Sequence, residues 1–218
     1  MAIGQWDIKR MLAYSSISQM GYVIMGVGIG MLLLVRGGNQ AIAAFSIFGG
    51  LLHLINHSIF KGLLFLNAGA VEYRTGTRDM RKLGGLAKKM PITSNTSLIA
   101  SLSISGIPPF NGFFSKLIII LAAVKAHFYW LAFIAVAISV ITISYFMKFQ
   151  KYTFYNKTGN YDHEIKEVPL PMSVSMILLA LLCLLFSLMV IPQFRDQFIM
   201  PAVNVLINNL HYSTAVLG

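Results

Sequence analysis

Acidic residues are scarce in this sequence. Asp and Glu together number 7 in 218 residues, against 17 Lys and Arg. The acids are Asp7, Glu72, Asp79, Asp162, Glu164, Glu167 and Asp196, and each lies in a polar segment or at its edge. No long apolar run carries a carboxylate, so a cation inside such a run has no acidic partner from this chain. Cysteine is nearly absent too: Cys183 stands alone, which excludes an internal disulfide. With no CxxC pair, haem motif or nucleotide loop, the chain is expected to hold no redox cofactor.

Charge of either sign is low. Charged residues make up 11% of the chain and hydrophobic residues 56%, too apolar for an ordinary soluble domain. Several apolar runs reach the roughly 20 residues needed to cross a hydrocarbon core. The expected fold is therefore an all-α, polytopic membrane protein in the cell membrane. The net charge of +10 does not indicate nucleic acid, because the basic residues lie in loops between apolar runs and form no basic soluble module. Loop charge of this kind serves orientation and contact with anionic lipid.

The runs are Met11 to Val35, Ala41 to Val71, Ile92 to Val124, Phe128 to Met147 and Pro169 to Ile191. The first competes with a signal peptide, but it is longer than a usual signal core and no clean cleavage site follows. Gly26, Gly28 and Gly30 imitate part of a dinucleotide fingerprint without the preceding strand and are expected to serve close helix packing. The third run is broken at Gly106, Pro108, Pro109 and Gly112.

Whether that run is one broken crossing or two short ones is decided by charge. With one crossing, Lys9, Arg10, Arg74, Arg78, Arg81, Lys82, Lys88, Lys89, Lys148, Lys151, Lys157 and Lys166 share a side, and only Arg36, Lys125 and Arg195 lie opposite. Two crossings blunt this asymmetry. The positive-inside rule then predicts five crossings with the N-terminus in the cytoplasm. Residues 1–192 form the membrane domain, and residues 193–218 are expected to be an interfacial tail.

Within the second run, His53, His57 and Lys61 are spaced i, i+4, i+8, on one helix face. A lysine at membrane depth costs about 3 kcal/mol on insertion scales, so it usually faces a protein interior or a hydrated path. Such a lysine can take up and release a proton, and the histidines can pass one along the face. The competing readings are a snorkelling lysine, packing histidines and a metal pair. No acid fills the HExxH glutamate position between the histidines. Lys116 follows the broken segment, where freed backbone groups and water can solvate it. Ser101, Ser103, Ser105, Asn111 and Ser115 add polar atoms around the break.

Three motifs, DIKRMLAYSSISQMGY, HLINHSIFKGLLFLNAG and SLSISGIPPFNGFFSK, resemble the antiporter-like subunits of complex I, Mrp-type cation/proton antiporters and membrane-bound hydrogenases. The segment TGTRDMRKLGGLAKKMP is more similar to the hydrogenase and Mrp branch. The resemblance implies a fold of two inverted repeats, each with a half-channel and a broken helix, of which this sequence resembles only the last five helices. It implies that His53, His57 and Lys61 are a central relay, with Lys116 as the broken-helix lysine. It further implies an ion-translocating subunit in a redox-driven complex, working beside other membrane subunits, one of them another antiporter-like subunit. The alternatives are a structural spacer and a subunit of an Mrp-type Na+/H+ antiporter.

Overall fold

The computed structural model describes residues 2–157, 159, 161 and 164–217, and the side chains of these up to residue 208. It is built of helices, and no strand occurs among the described residues. Helix α1 (Ile8–Val35) starts at Asp7, whose carboxylate accepts the Arg10 N–H at 2.9 Å. Helix α2 (Gln40–Thr75) starts at Asn39, which accepts from the N–H groups of Ala41 and Ile42. It ends at Gly76, whose φ of 69° suits glycine. The helix thus runs four residues past Val71 and takes in Glu72 and Arg74. There follow α3 (Leu86–Lys89), α4 (Pro91–Ser105), α5 (Asn111–Lys125) and α6 (Tyr129–Gln150), which continues as a π-turn through Tyr155. Helix α7 (Leu170–Leu185) tightens into a 3-10 turn to Val190, and α8 (Pro192–Phe198) and α9 (Met200–Leu217) close the chain.

Four stretches are long and apolar enough to cross a membrane: Ile8–Val35, Gln40–Thr75, Tyr129–Tyr155 and Leu170–Val190. Helices α4 and α5, at 15 residues each, are about 22 Å long and too short to do so alone. Together they make one crossing. Along α2 in reverse, Asn67 meets Thr96, Asn56 meets Asn111, His53 meets Ser115, and Gly49 lies against Ile118 and Ile119. The contacts advance steadily down α2 without turning back, so α4 and α5 run in one direction across the break. The same progression holds on α6, where Gln150 meets Ser97 and Ala135 packs with Ile119. The result is a polytopic all-α membrane protein with five crossings, one of them broken.

The break is shorter than the sequence suggested. It covers Gly106 to Phe110, while Asn111 and Gly112 belong to the first turn of α5. Gly112 serves close approach: a Cβ there would sit 1.9 Å from the Ser103 carbonyl oxygen. Likewise a Cβ on Gly26 would lie 2.8 Å from Gly50 Cα, and one on Gly30 would strike Ile47. Gly28 faces open space, because two residues along a helix turn a side chain to another face.

The main core is formed by Met11, Leu12, Phe60, Leu63, Leu64, Phe146 and Phe149 with their neighbours. It lies toward the end of the bundle that holds the start of α1 and the end of α2. A smaller cluster joins Ile199, Val203 and Ile207 of α8–α9 to Ile47, Phe48 and Leu52 of α2.

Candidate functional site

Buried polar residues line the interior between α1, α2 and the broken helix. Lys61 is 5% exposed, and its Nζ donates to the Leu12 carbonyl and the Ser15 hydroxyl, both on α1. Phe65 lies 5.8 Å from the same nitrogen. One turn before Lys61 is His57, half-buried, with its Nε2 enclosed and without a partner. The Phe60 ring sits against His57 at 5.5 Å and His53 at 6.1 Å, centroid to centroid. His53 is fully buried, and both its ring nitrogens are engaged: Nδ1 with Ser115 Oγ at 2.9 Å, Nε2 with Gln19 Oε1 at 3.2 Å. This bond pattern holds the ring between α1 and α5.

Across from His53 stands Tyr22, ring to ring at 5.4 Å. Its hydroxyl donates to the Ala135 carbonyl and lies 2.7 Å from Ser139 Oγ. Lys116, 3% exposed, places its Nζ 4.9 Å from the Tyr22 ring centroid and donates to the Ile104 carbonyl at 2.8 Å. Ile104 is in the last turn of α4, where the N–H groups of Gly106 and Ile107 close on the Ser103 and Leu102 carbonyls and the Ile104 carbonyl is left for Lys116. A cation there also meets the negative end of the helix dipole. The break is pinned from α2: Asn56 and Asn111 exchange two hydrogen bonds of 3.0 Å, and Ser103 donates to Asn111 Oδ1.

His53, Lys61 and Lys116 are buried and the half-buried His57 lies among them on one line, and the prolines and Gly106 create the carbonyl seat of Lys116. Among the described residues neither lysine has a carboxylate partner. Among the described residues Asp7, Glu72, Asp79, Glu164 and Glu167 lie at the loop end and Asp196 on α8: Glu72 pairs with Lys9 at 2.6 Å, and Glu167 accepts from Ile92 N–H at 2.7 Å and Thr93 Oγ1 at 2.6 Å. Sequence reasoning did not single out Ser15, Gln19 and Tyr22. Their spacing of four and three residues, continued by Gly26, was a signal that they share a buried face.

Residues 1–142 match the family model described as NADH:quinone oxidoreductase/Mrp antiporter, TM. The chain belongs to this family. Among its relatives it is 39% identical over 203 residues to a Na(+)/H(+) antiporter subunit of Alkalihalophilus pseudofirmus, a match covering 85% of this chain and 25% of that protein. It is 40% identical over 198 residues to hydrogenase-4 component B of Escherichia coli, covering 86% and 29%. The membrane-bound sulfane sulfur reductase, an archaeal respiratory membrane complex, contains a chain similar at a TM-score of 0.75 and 35% identity, with 86% of this chain and 29% of that one covered. The Mrp complex from Dietzia sp. gives a TM-score of 0.78 at 25% identity, covering 100% and 46%. The chain thus spans between a quarter and a third of the length of these curated relatives.

Proposed function

We propose that the chain supplies an ion-conducting half-channel, for protons or sodium, to a redox-driven membrane complex related to complex I. The observation that carries this reading is the pair of buried lysines held by neutral partners at the two ends of one polar line. A lysine seated on carbonyls and a hydroxyl can lose its proton without stranding a carboxylate charge. Lys61, His57, His53 and Lys116 are the stations, with the break at Gly106, Pro108, Pro109 and Gly112 providing the seat of the last. Gaps along the line, such as that at the unpartnered Nε2 of His57, fit bridging water. The chain brings no cofactor of its own, so energy reaches it through neighbouring membrane subunits, including another antiporter-like subunit. The N-terminus lies in the cytoplasm, and residues 193–218 form an interfacial tail. The second reading, a subunit of an Mrp-type Na+/H+ antiporter, is favoured by the likeness to the Alkalihalophilus pseudofirmus protein.

The test uses the complete assembly in vesicles. Lys61→Met keeps length and apolar packing but cannot titrate, whereas Lys61→Arg keeps the charge and does not release its proton. Both lower ion movement by about 100-fold at normal assembly level, the scale of a lost positioned proton carrier. A structural spacer predicts the reverse: Lys61→Met is then harmless or stabilising, because a buried unpaired charge has gone. Sodium dependence of the residual movement separates the proton and antiporter readings.

A further inference from the structure

Helix α4 carries a second polar face that the line above does not use. Ser94, Ser97, Ser101 and Ser105 are spaced by three, four and four residues, and all are at most 3% exposed. Ser97, Ser101 and Ser105 face α6. Opposite them is Gln150, 3% exposed, whose Nε2 donates to Ser97 Oγ at 2.9 Å and to Ser101 Oγ at 2.8 Å. Its Oε1 is buried without a partner, and so are Ser94 Oγ and Thr153 Oγ1. Exchanging the two ends of the Gln150 amide moves the deficit to the nitrogen and does not remove it.

Between α4 and α6 lies a pocket of about 10 Å³, lined on its polar side by Ser101, Ser105 and Gln150 and partly open outward between Leu98, Ile143 and Met147. That is the room for about one water, and buried polar atoms without protein partners are normally satisfied by one. The inner end of the cavity is Ser105, next to Gly106. A Cβ on Gly106 would lie 3.0 Å from Lys116 Cδ. The outer end of the serine face is Ser94, near the start of α4, on the side of the bundle that carries the loops around residues 76–90 and 164–168.

We propose that this cavity holds a water and that the serine face with Gln150 forms a hydrated branch from the loop side to the seat of Lys116. The branch rests on the half-channel reading for its purpose but not for its water. It differs from the Lys61 line in entering between α4 and α6, without passing either histidine.

Two measurements on the complete assembly separate the claims. Hydroxyl-radical footprinting by water radiolysis reads the water itself. Phe146 lines the pocket at 1% exposure, so it is shielded from radicals in bulk solvent and reports on those formed in the pocket. Phe146 is oxidised in the wild type and at least about fivefold less in Gln150→Leu, which keeps the volume and removes the polar anchor. Absence of oxidation in the wild type overturns the proposal. Ion movement in vesicles reads the branch: Gln150→Leu lowers it at least about tenfold at normal assembly, and Gln150→Glu restores it. Normal movement in Gln150→Leu leaves a structural water and sinks the branch. Should Gln150→Leu assemble poorly, Ser101→Ala, which leaves the packing nearly intact, carries both measurements. The parent reading fails separately, through normal movement in Lys61→Met with the footprint unchanged.

Discussion

The polar side chains divide into two populations by their partners. Inside the bundle, among the described residues, Lys61 and Lys116 bind only carbonyls, a hydroxyl and ring faces. At the loop end, cations meet acids: Lys9 with Glu72, and Arg78 with Asp7 and Glu72. Arg81 hydrogen-bonds Asp79 and holds its carboxyl below the usual range. That pair is exposed and screened, so it adds little to stability. Tyr161 does more to fix the loops. It donates to the Gly84 carbonyl at 2.8 Å and accepts the Gly84 N–H at 3.1 Å, joining the segment after α6 to the one before α3. Burial pushes its phenol above the ordinary 10.0. A folded-state value above the unfolded one means that this contribution is complete below pH 10 and lost as pH rises through the folded value. Labels at Lys82→Cys and Lys157→Cys should therefore give a narrow distance distribution at neutral pH that broadens above pH 10. In Tyr161→Phe, which costs about 0.5–1 kcal/mol, the distribution should be broad throughout. Identical distributions in both proteins at every pH would show that Tyr161 does not hold the loops.

At the scale of the element, the broken helix decides the site. Gly106 at φ 80° ends α4, Asn111 opens α5, and the two halves touch where Gly112 passes the Ser103 carbonyl. Gly112→Ala forces α5 away from that backbone oxygen, which cannot yield as a side chain does. The expected cost is about 1–3 kcal/mol or more, with loss of the Asn56–Asn111 pair. Gly28→Ala, in open space on α1, should leave thermal stability unchanged or slightly raised. Equal melting temperatures for the two variants would contradict this packing. The break was legible because two prolines between glycines have no other use in an apolar run. The histidine face was legible because ionisable groups at membrane depth are rare. Gln19, Tyr22 and Asn56 were not, because neutral polar side chains in a helix carry no such cost when exposed. Only the assembled bundle gives them a role: α1 brings Gln19 and Tyr22 to His53, and α5 brings Asn111 to Asn56. The exact limits of the break were also hidden, since Asn111 and Gly112 suit a loop as well as a first helical turn.

At the scale of the molecule, charge and topology have to agree. The starts of α1, α4 and α7 and the ends of α2 and α6 lie together, tied by Lys148 to the carbonyls of Ile3 and Gln5 and by Glu167 to Ile92 and Thr93. This end holds Lys9, Arg10 and the basic residues of both loop regions, while Arg36 and Lys125 lie at the far ends of α1 and α5. The positive-inside rule predicts that a basic end of this kind faces the cytoplasm, against anionic lipid. Helices α6 and α7 are only 28% and 22% buried along their apolar windows, against 56% for α2. Their outer faces are thus left for lipid or neighbouring subunits, and α2 is the axis of the bundle. Single cysteines at Lys82 and Lys157 should react with an impermeant thiol reagent from the cytoplasmic side alone. Cysteines at Arg36 and Lys125 should react from the opposite side, and the buried Cys183 from neither. If positions 82 and 157 label from opposite sides, the broken helix is not a single crossing and the five-crossing bundle is wrong. If both label from outside, the bundle stands but is inverted, and the hydrated branch along the α4 serines opens away from the cytoplasm.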